Sequence, residues 1–141
     1  MSNYKIFQES LDINTRGQGF TIITDSITEI VKRSQIHKGL CTIFIQHTSA
    51  SLVIQENADP SVLRDLTRWM SSLAPESRNW EHDAEGTDDM PAHAKSVLTK
   101  TSETIPITDG RLAMGTWQGL YLWEHRSRPH RRRLIIHIAG I

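Results

Sequence analysis

The chain has 141 residues, 38% hydrophobic and 23% charged, with 16 Lys and Arg against 16 Asp and Glu. That length predicts one domain over 1–141 with a core that needs no disulfide, and the composition excludes a disordered chain. A formal net charge of +0 excludes a wholesale nucleic-acid or membrane-surface binder, whose affinity needs a positive field.

In chain order, a β-type run at 4–9 comes first, and it holds no signal-peptide apolar stretch. No later segment approaches the roughly 20 apolar residues of a membrane span. The expectation is a soluble, cytoplasmic protein with no membrane partner. A second strand at 19–23 leads into a helix beginning at Thr24 or Asp25. There Ser26 and Glu29 fit a capping box, and Ile27, Ile30 and Val31 make an apolar stripe.

The strand at 40–46 contains the single cysteine, Cys41. One cysteine excludes an intramolecular disulfide and a Cys-based zinc cage. Set in Leu40-Cys41-Thr42-Ile43-Phe44-Ile45, it reads as a small buried hydrophobe, because no charge beside it in sequence favours the thiolate. A strand at 51–55 follows. The second helix opens at Asp59-Pro60, an N-cap carboxylate and a proline at the first helical position, and Val62, Leu63, Leu66, Trp69, Met70 and Leu73 recur at helical spacing.

Residues 74–90 show no periodicity and carry Glu76, Glu81, Asp83, Glu85, Asp88 and Asp89 against Arg78 alone. So long a loop is functional or disordered, and Trp80 and His82 give it groups that could anchor it. A short third helix runs from Pro91 to about Leu98, and strands at 104–107, 111–114, 116–124 and 133–138 complete the chain. Strands in runs, with helices inserted rather than alternating, predict an α+β fold: a mostly antiparallel β-sandwich with three flanking helices.

Seven His stand out in so short a chain. Strand alternation sets His47 on the face of Cys41, Ile43 and Ile45, at the rim of the core, with the hydroxyls of Thr48 and Ser49 next. A lone His there is more often a hydrogen-bonded core-edge residue than a ligand. His82 in the acidic loop and His93, in the expected first turn of the third helix, change the weighing. Three His from a strand end, a loop and a helix start, with Asp88 and Asp89 nearby, could form an open metal site. Their spacing matches no compact zinc signature.

The run His125-Arg126-Ser127-Arg128-Pro129-His130-Arg131-Arg132-Arg133 reads as a solvated hairpin tip, a nucleic-acid patch, or a grip for the phosphate of a small molecule. No aromatic stacking motif lies beside it, which disfavours RNA. Upstream, the glycines of Gly115-Thr116-Trp117-Gln118-Gly119 permit close approach of a ligand, while Trp117 could equally be core.

Four segments together resemble the YjbQ family, often labelled secondary thiamine-phosphate synthase. They are Gln46-His47-Thr48-Ser49-Ala50-Ser51-Leu52, Glu56-Asn57-x-Asp59-Pro60-x-Val62-x-x-Asp65, Glu81-His82-Asp83 through Asp88-Asp89-Met90-Pro91-x-His93, and Gly115-Thr116-Trp117-Gln118-Gly119 with Glu124-His125-Arg126. The resemblance implies a homotrimer and a pocket built on His47, His82 and His93. It also implies a weak transferase activity joining a pyrimidine diphosphate to a thiazole phosphate with loss of pyrophosphate. On that reading His47, His82 and His93 are catalytic or metal-binding, and Thr48, Ser49, Trp117, Gln118 and Arg126 hold a small phosphorylated molecule. Pyrophosphate departure calls for Mg²⁺ on carboxylates, whereas three imidazoles suit Zn²⁺. The alternative is a non-catalytic metal- or anion-binding module.

Overall fold

A computed structural model describes residues 3–141. The described chain runs β1 (Lys5–Asn14), β2 (Gly19–Ile22), α1 (Thr24–Ser34), β3 (Lys38–Ile45), β4 (Ala50–Glu56), α2 (Pro60–Leu73), α3 (Asp89–Leu98), β5 (Ser102–Thr108), β6 (Arg111–Leu112), β7 (Gln118–Glu124) and β8 (Arg131–Gly140). This is the expected mixed α+β fold. Every strand pair is antiparallel, in one sheet ordered β1-β8-β3-β5-β6 and another ordered β2-β7-β4.

Alternation builds one core between the sheets. Cys41, Ile43 and Ile45 of β3, Ile105 and Ile107 of β5, and Leu134, Ile136 and Ile138 of β8 meet Ala50 and Leu52 of β4 and Leu120 and Leu122 of β7. Ile27, Ile30 and Val31 of α1 join them, as their spacing predicts. Burial pushes the Cys41 thiol up to about 12, consistent with an inert core residue. On the other face of the smaller sheet, Thr67, Met70 and Ser71 of α2 and Lys95 of α3 lie against Trp123 and His125. No helix among the described residues is long and apolar enough to cross a membrane.

Three local expectations are corrected. Ser26 and Glu29 form no capping box: α1 begins at Thr24, whose Oγ1 accepts from Leu120 N–H (2.9 Å), so Ser26 falls inside the helix. The first strand continues past residue 9 to Asn14, because β8 pairs with it at every position from Lys5↔Gly140 to Asn14↔Arg131. The third helix begins at Asp89, since Pro91 is tolerated in a first turn where its missing N–H has no intrahelical partner. The α2 cap forms as expected, Asp59 Oδ1 accepting from Ser61 N–H (2.9 Å).

Candidate metal centre

One end of the two sheets gathers the chemistry. β3 ends there and β4 begins, bringing residues 46–49; β7 ends and β8 begins, bringing 125–130. Residues 74–88 and the first turns of α3 lie over this end. The long loop is tied down rather than structureless. Trp80 Nε1 donates to the Pro75 carbonyl (3.1 Å), and Thr87 Oγ1 to Glu76 (2.8 Å).

Among the described residues, His82, Asp89 and His93 place three potential ligand atoms within 4.8 Å of one another. Starting α3 at Asp89 sets His93 one turn later, on the same helix face. Asp89 Oδ2 lies 2.6 Å from His82 Nε2 and 3.3 Å from His93 Nε2. His93 Nδ1 donates to the Thr48 carbonyl (3.0 Å), which fixes the ring orientation and turns Nε2 toward the cluster. Asp89 is only 2% exposed, while the two imidazoles are part-exposed, at 44% for His82 and 32% for His93. Burial would raise the Asp89 carboxyl, but His82, Arg126 and His93 outweigh it and hold the group below its ordinary value.

Arg126 supports this cluster from behind. Its Nε donates to Asp88 Oδ2 (2.9 Å), Nη1 to Asp89 Oδ1 (2.8 Å) and Nη2 to the Glu85 carbonyl (3.0 Å). The Ser127 N–H shares Asp88 Oδ2 (2.8 Å). Arg126 therefore orients carboxylates, with all three of its nitrogens engaged within the chain rather than extended toward a substrate phosphate.

His47 does not join the other two histidines as a ligand. Its Nε2 accepts from the Arg133 N–H (2.8 Å), and its Nδ1 faces Arg132 Nη1 at 3.3 Å. Both ring nitrogens thus meet donors. Burial, reinforced by the Arg132 charge, lowers the His47 value, so the ring is held neutral. Thr48 contributes its carbonyl to His93, and the Ser49 carbonyl and Oγ accept from Arg132 (3.2 and 3.0 Å).

Trp117 and Gln118 lie elsewhere. Gln118 pairs with Glu56 at the start of β7, and Glu124 with Ala50 at its end. Six residues of strand, about 20 Å at ~3.3 Å per residue, separate Gln118 from the cluster. Gln118 Oε1 accepts from Gly115 N–H (2.7 Å), closing its own turn, and Trp117 is 66% exposed, so it is not core. Neither reaches the site.

The basic run is consumed inside the chain. Arg131 and Arg133 reach Asp12, and Arg132 pairs with the fully buried Glu124, its Nε donating to Oε1 (2.7 Å). Sequence reasoning missed that buried pair and the buried Ser51 Oγ···His125 Nε2 contact (2.8 Å). Alternation along β7 and β8 carried the one available signal, since it sends both Glu124 and Arg132 inward.

Comparison with known proteins bears on the same residues. The family model described as UPF0047 protein YjbQ-like matches residues 9–141. A UPF0047 protein of Synechocystis sp. is 53% identical over 99% of this chain and 95% of its own. The UPF0047 protein YjbQ of Escherichia coli O157:H7 is 41% identical over 95% of this chain and 98% of its own. Among solved structures, a protein of unknown function from Sulfolobus solfataricus superposes with a TM-score of 0.90 at 26% identity, covering 99% of this chain and 100% of its own. An uncharacterised family protein of Clostridium acetobutylicum gives 0.82 at 33% identity, covering 94% of this chain and 98% of its own. These relatives carry a family designation and no activity. The expected thiamine-phosphate synthase activity is overturned: nothing in these relatives indicates it. The agreement over nearly the whole length of each protein establishes instead that the chain belongs to the UPF0047, YjbQ-like family.

Proposed function

We propose that His82, Asp89 and His93 bind one divalent transition-metal ion and present it, with coordination positions open, to a small molecule. The observation that carries this reading is the His93 ring. Its Nδ1 is spent on the Thr48 carbonyl, so its free Nε2 faces the same carboxylate oxygen that His82 Nε2 approaches. Two imidazoles and one carboxylate suit Zn²⁺ or Fe²⁺ better than Mg²⁺, which demands oxygen ligands. Three protein ligands would leave room for a bound molecule, and the ion would supply Lewis acidity to an oxygen of that molecule. Arg126 would hold Asp89 in position, and the Thr48 carbonyl would hold His93.

The same reading takes the chain as one subunit of a homotrimer whose two sheets form the layers of a β-sandwich. The shared core supports the layers. An apolar outer face on the five-stranded sheet, with Ile6, Leu40 and Phe44 exposed, supports association.

Metal analysis of purified and zinc- or iron-reconstituted protein tests the centre. The expected result is one ion per chain in the wild type and loss of that ion in His82→Ala, Asp89→Asn and His93→Ala, with His47→Ala retaining it. Failure of the wild type to take up either ion at micromolar concentration, or retention of the ion by all three ligand variants, overturns the reading.

A further inference from the structure

We propose that a cavity beside His93 receives a small uncharged molecule carrying hydroxyl or carbonyl oxygens, so that the molecule offered to the metal is neither a phosphate ester nor another anion. This rests on the metal reading above and names the class of ligand the centre takes. The cavity holds about 440 Å³ and is lined by His47, Thr48, His93, Ser96, Thr99 and Thr101, with Val97 at its lip. That volume lies within the ~300–1,000 Å³ usual for small-molecule pockets.

The lining is rich in hydroxyls and contains no Asp, Glu, Lys or Arg. One of its groups is unsatisfied: the Ser96 Oγ is buried and has no hydrogen-bond partner. An orphaned buried hydroxyl is costly, and a turn of the Ser96 rotamer toward the cavity would let a ligand oxygen supply the partner it lacks. Val97, 83% exposed, offers apolar surface to a short carbon chain.

Charge on the α3 side of the cavity argues against an anion. Ser96 and Thr99 stand at the C-terminal end of α3, where the Lys95 carbonyl already accepts from Thr99 Oγ1 (2.8 Å) and the helix dipole is negative. Around the His82–Asp89–His93 cluster, Glu76, Glu81, Glu85, Asp88 and Asp89 outnumber Arg78, Arg126 and Lys95. A divalent ion brings that balance to about neutral and leaves no excess positive charge for an anion. Behind His47, Arg132 is paired with Glu124, while Arg133 shares Asp12 with Arg131 and is largely exposed to solvent. The second approach to the centre, a cavity of about 540 Å³ lined by Trp80, Glu81, His82 and Met90, adds a carboxylate and no cation.

Calorimetric titration of zinc-loaded and zinc-free protein tests this, with erythritol and D-glyceraldehyde as uncharged probes and inorganic phosphate and D-ribose 5-phosphate as anionic ones. The expected result is binding of an uncharged probe at millimolar concentration, tighter with zinc. Thr101→Val and Ser96→Ala should weaken it about two- to tenfold, the worth of one hydrogen bond, with zinc content unchanged. Tighter binding of the anionic probes, or no binding of either uncharged probe to either form, overturns the proposal. Should no zinc load, the metal reading fails by itself. An uncharged probe that binds the zinc-free protein and is weakened by Thr101→Val would then still support the cavity.

Discussion

Asp89 is nearly sealed from solvent yet is held charged, because Arg126 and two imidazoles surround it. Arg126 is thus a positioning residue, and its planar fork engages two carboxylates and a carbonyl at once, which an ammonium cannot do. Arg126→Ala and Arg126→Lys should both lower zinc affinity, by about 10- to 100-fold for the alanine, measured by competition with a chromophoric chelator. Equal affinity in wild type and Arg126→Ala would remove the positioning role. His125 makes a different prediction. Burial drives its imidazole down to about 3 from 6.5, so the folded protein keeps it neutral where the unfolded chain protonates it. The unfolded state then binds more protons between those values, and stability falls as pH drops below about 6.5. Glu124 acts later. Its desolvation is outweighed by Arg132 and Thr15, so its folded value lies below 4.5, and its contribution is present above 4.5 and lost as pH falls through that lower value. Denaturation midpoints should therefore begin to decline near pH 6.5, and His125→Gln should flatten the decline between about pH 6.5 and 4.5. A wild-type midpoint constant over that window would contradict this account.

Elements differed in how much of them the sequence exposed. The helical spacing of α1 and the β-branched runs of β3, β7 and β8 are readable, because burial on one face or both imposes a period. By contrast, α2 shows the same spacing yet, against the expectation that it lies on the core, buries only Met70 and leaves Trp69 and Leu73 exposed. What stayed hidden was set by tertiary partners. Thr24 is claimed by Leu120 on a strand 96 positions away, which displaces the Ser26 capping box. β1 extends because β8 continues opposite it, while its own residues 10–14 carry no strong strand signal. The site was legible as a set of residue types: His82, His93 and Asp89 were all candidates. The Asp89-x-x-x-His93 spacing was in plain view, but starting the helix at Pro91 left Asp89 outside it. Alternation fixes the side of His47 and not its partner, and Arg133's backbone N–H occupies its Nε2. The loop before α3 has its own requirement. Gly86 sits at φ +103°, and a Cβ there would meet Asp88 Oδ1 at 3.1 Å. Gly86→Ala should cost about 1 kcal/mol or more of stability by urea denaturation. It should also weaken zinc binding, since Asp88 shares Arg126 with Asp89. Unchanged stability would mean that the loop relaxes without loss.

At the scale of the whole molecule, the five-stranded sheet is covered on one face only. Its inner face makes the core, while its outer face carries Ile6 (67% exposed), Leu40 (52%) and Phe44 (45%). Ile6 is paired with Ala139, Leu40 with Ala139 and Pro106, and Phe44 with Ile135 and Ser102, so these positions lie on one surface across four adjacent strands. Asp12, Arg131 and Arg133 stand at one end of this face and Lys38 at the other, and Gln8, His137, Thr42 and Thr104 form a polar row between. Large apolar side chains spread over four strands, interleaved with uncharged polar ones and rimmed by ions, have the make-up of an association surface. For the proposed homotrimer, light scattering is expected to give about three times 16.1 kDa for the wild type. A single Leu40→Glu or Phe44→Glu replacement should release monomers, because burying an unpaired carboxylate in such an interface is costly. Neither residue belongs to the core or the metal cluster, so the variant monomer should keep the wild-type far-UV circular dichroism and the same zinc content. A wild type that stays monomeric at every concentration would sink the trimer while leaving the metal centre, which draws all its ligands from one chain, untouched. Loss of zinc in a folded Phe44→Glu monomer would instead mean that the site depends on a neighbouring copy.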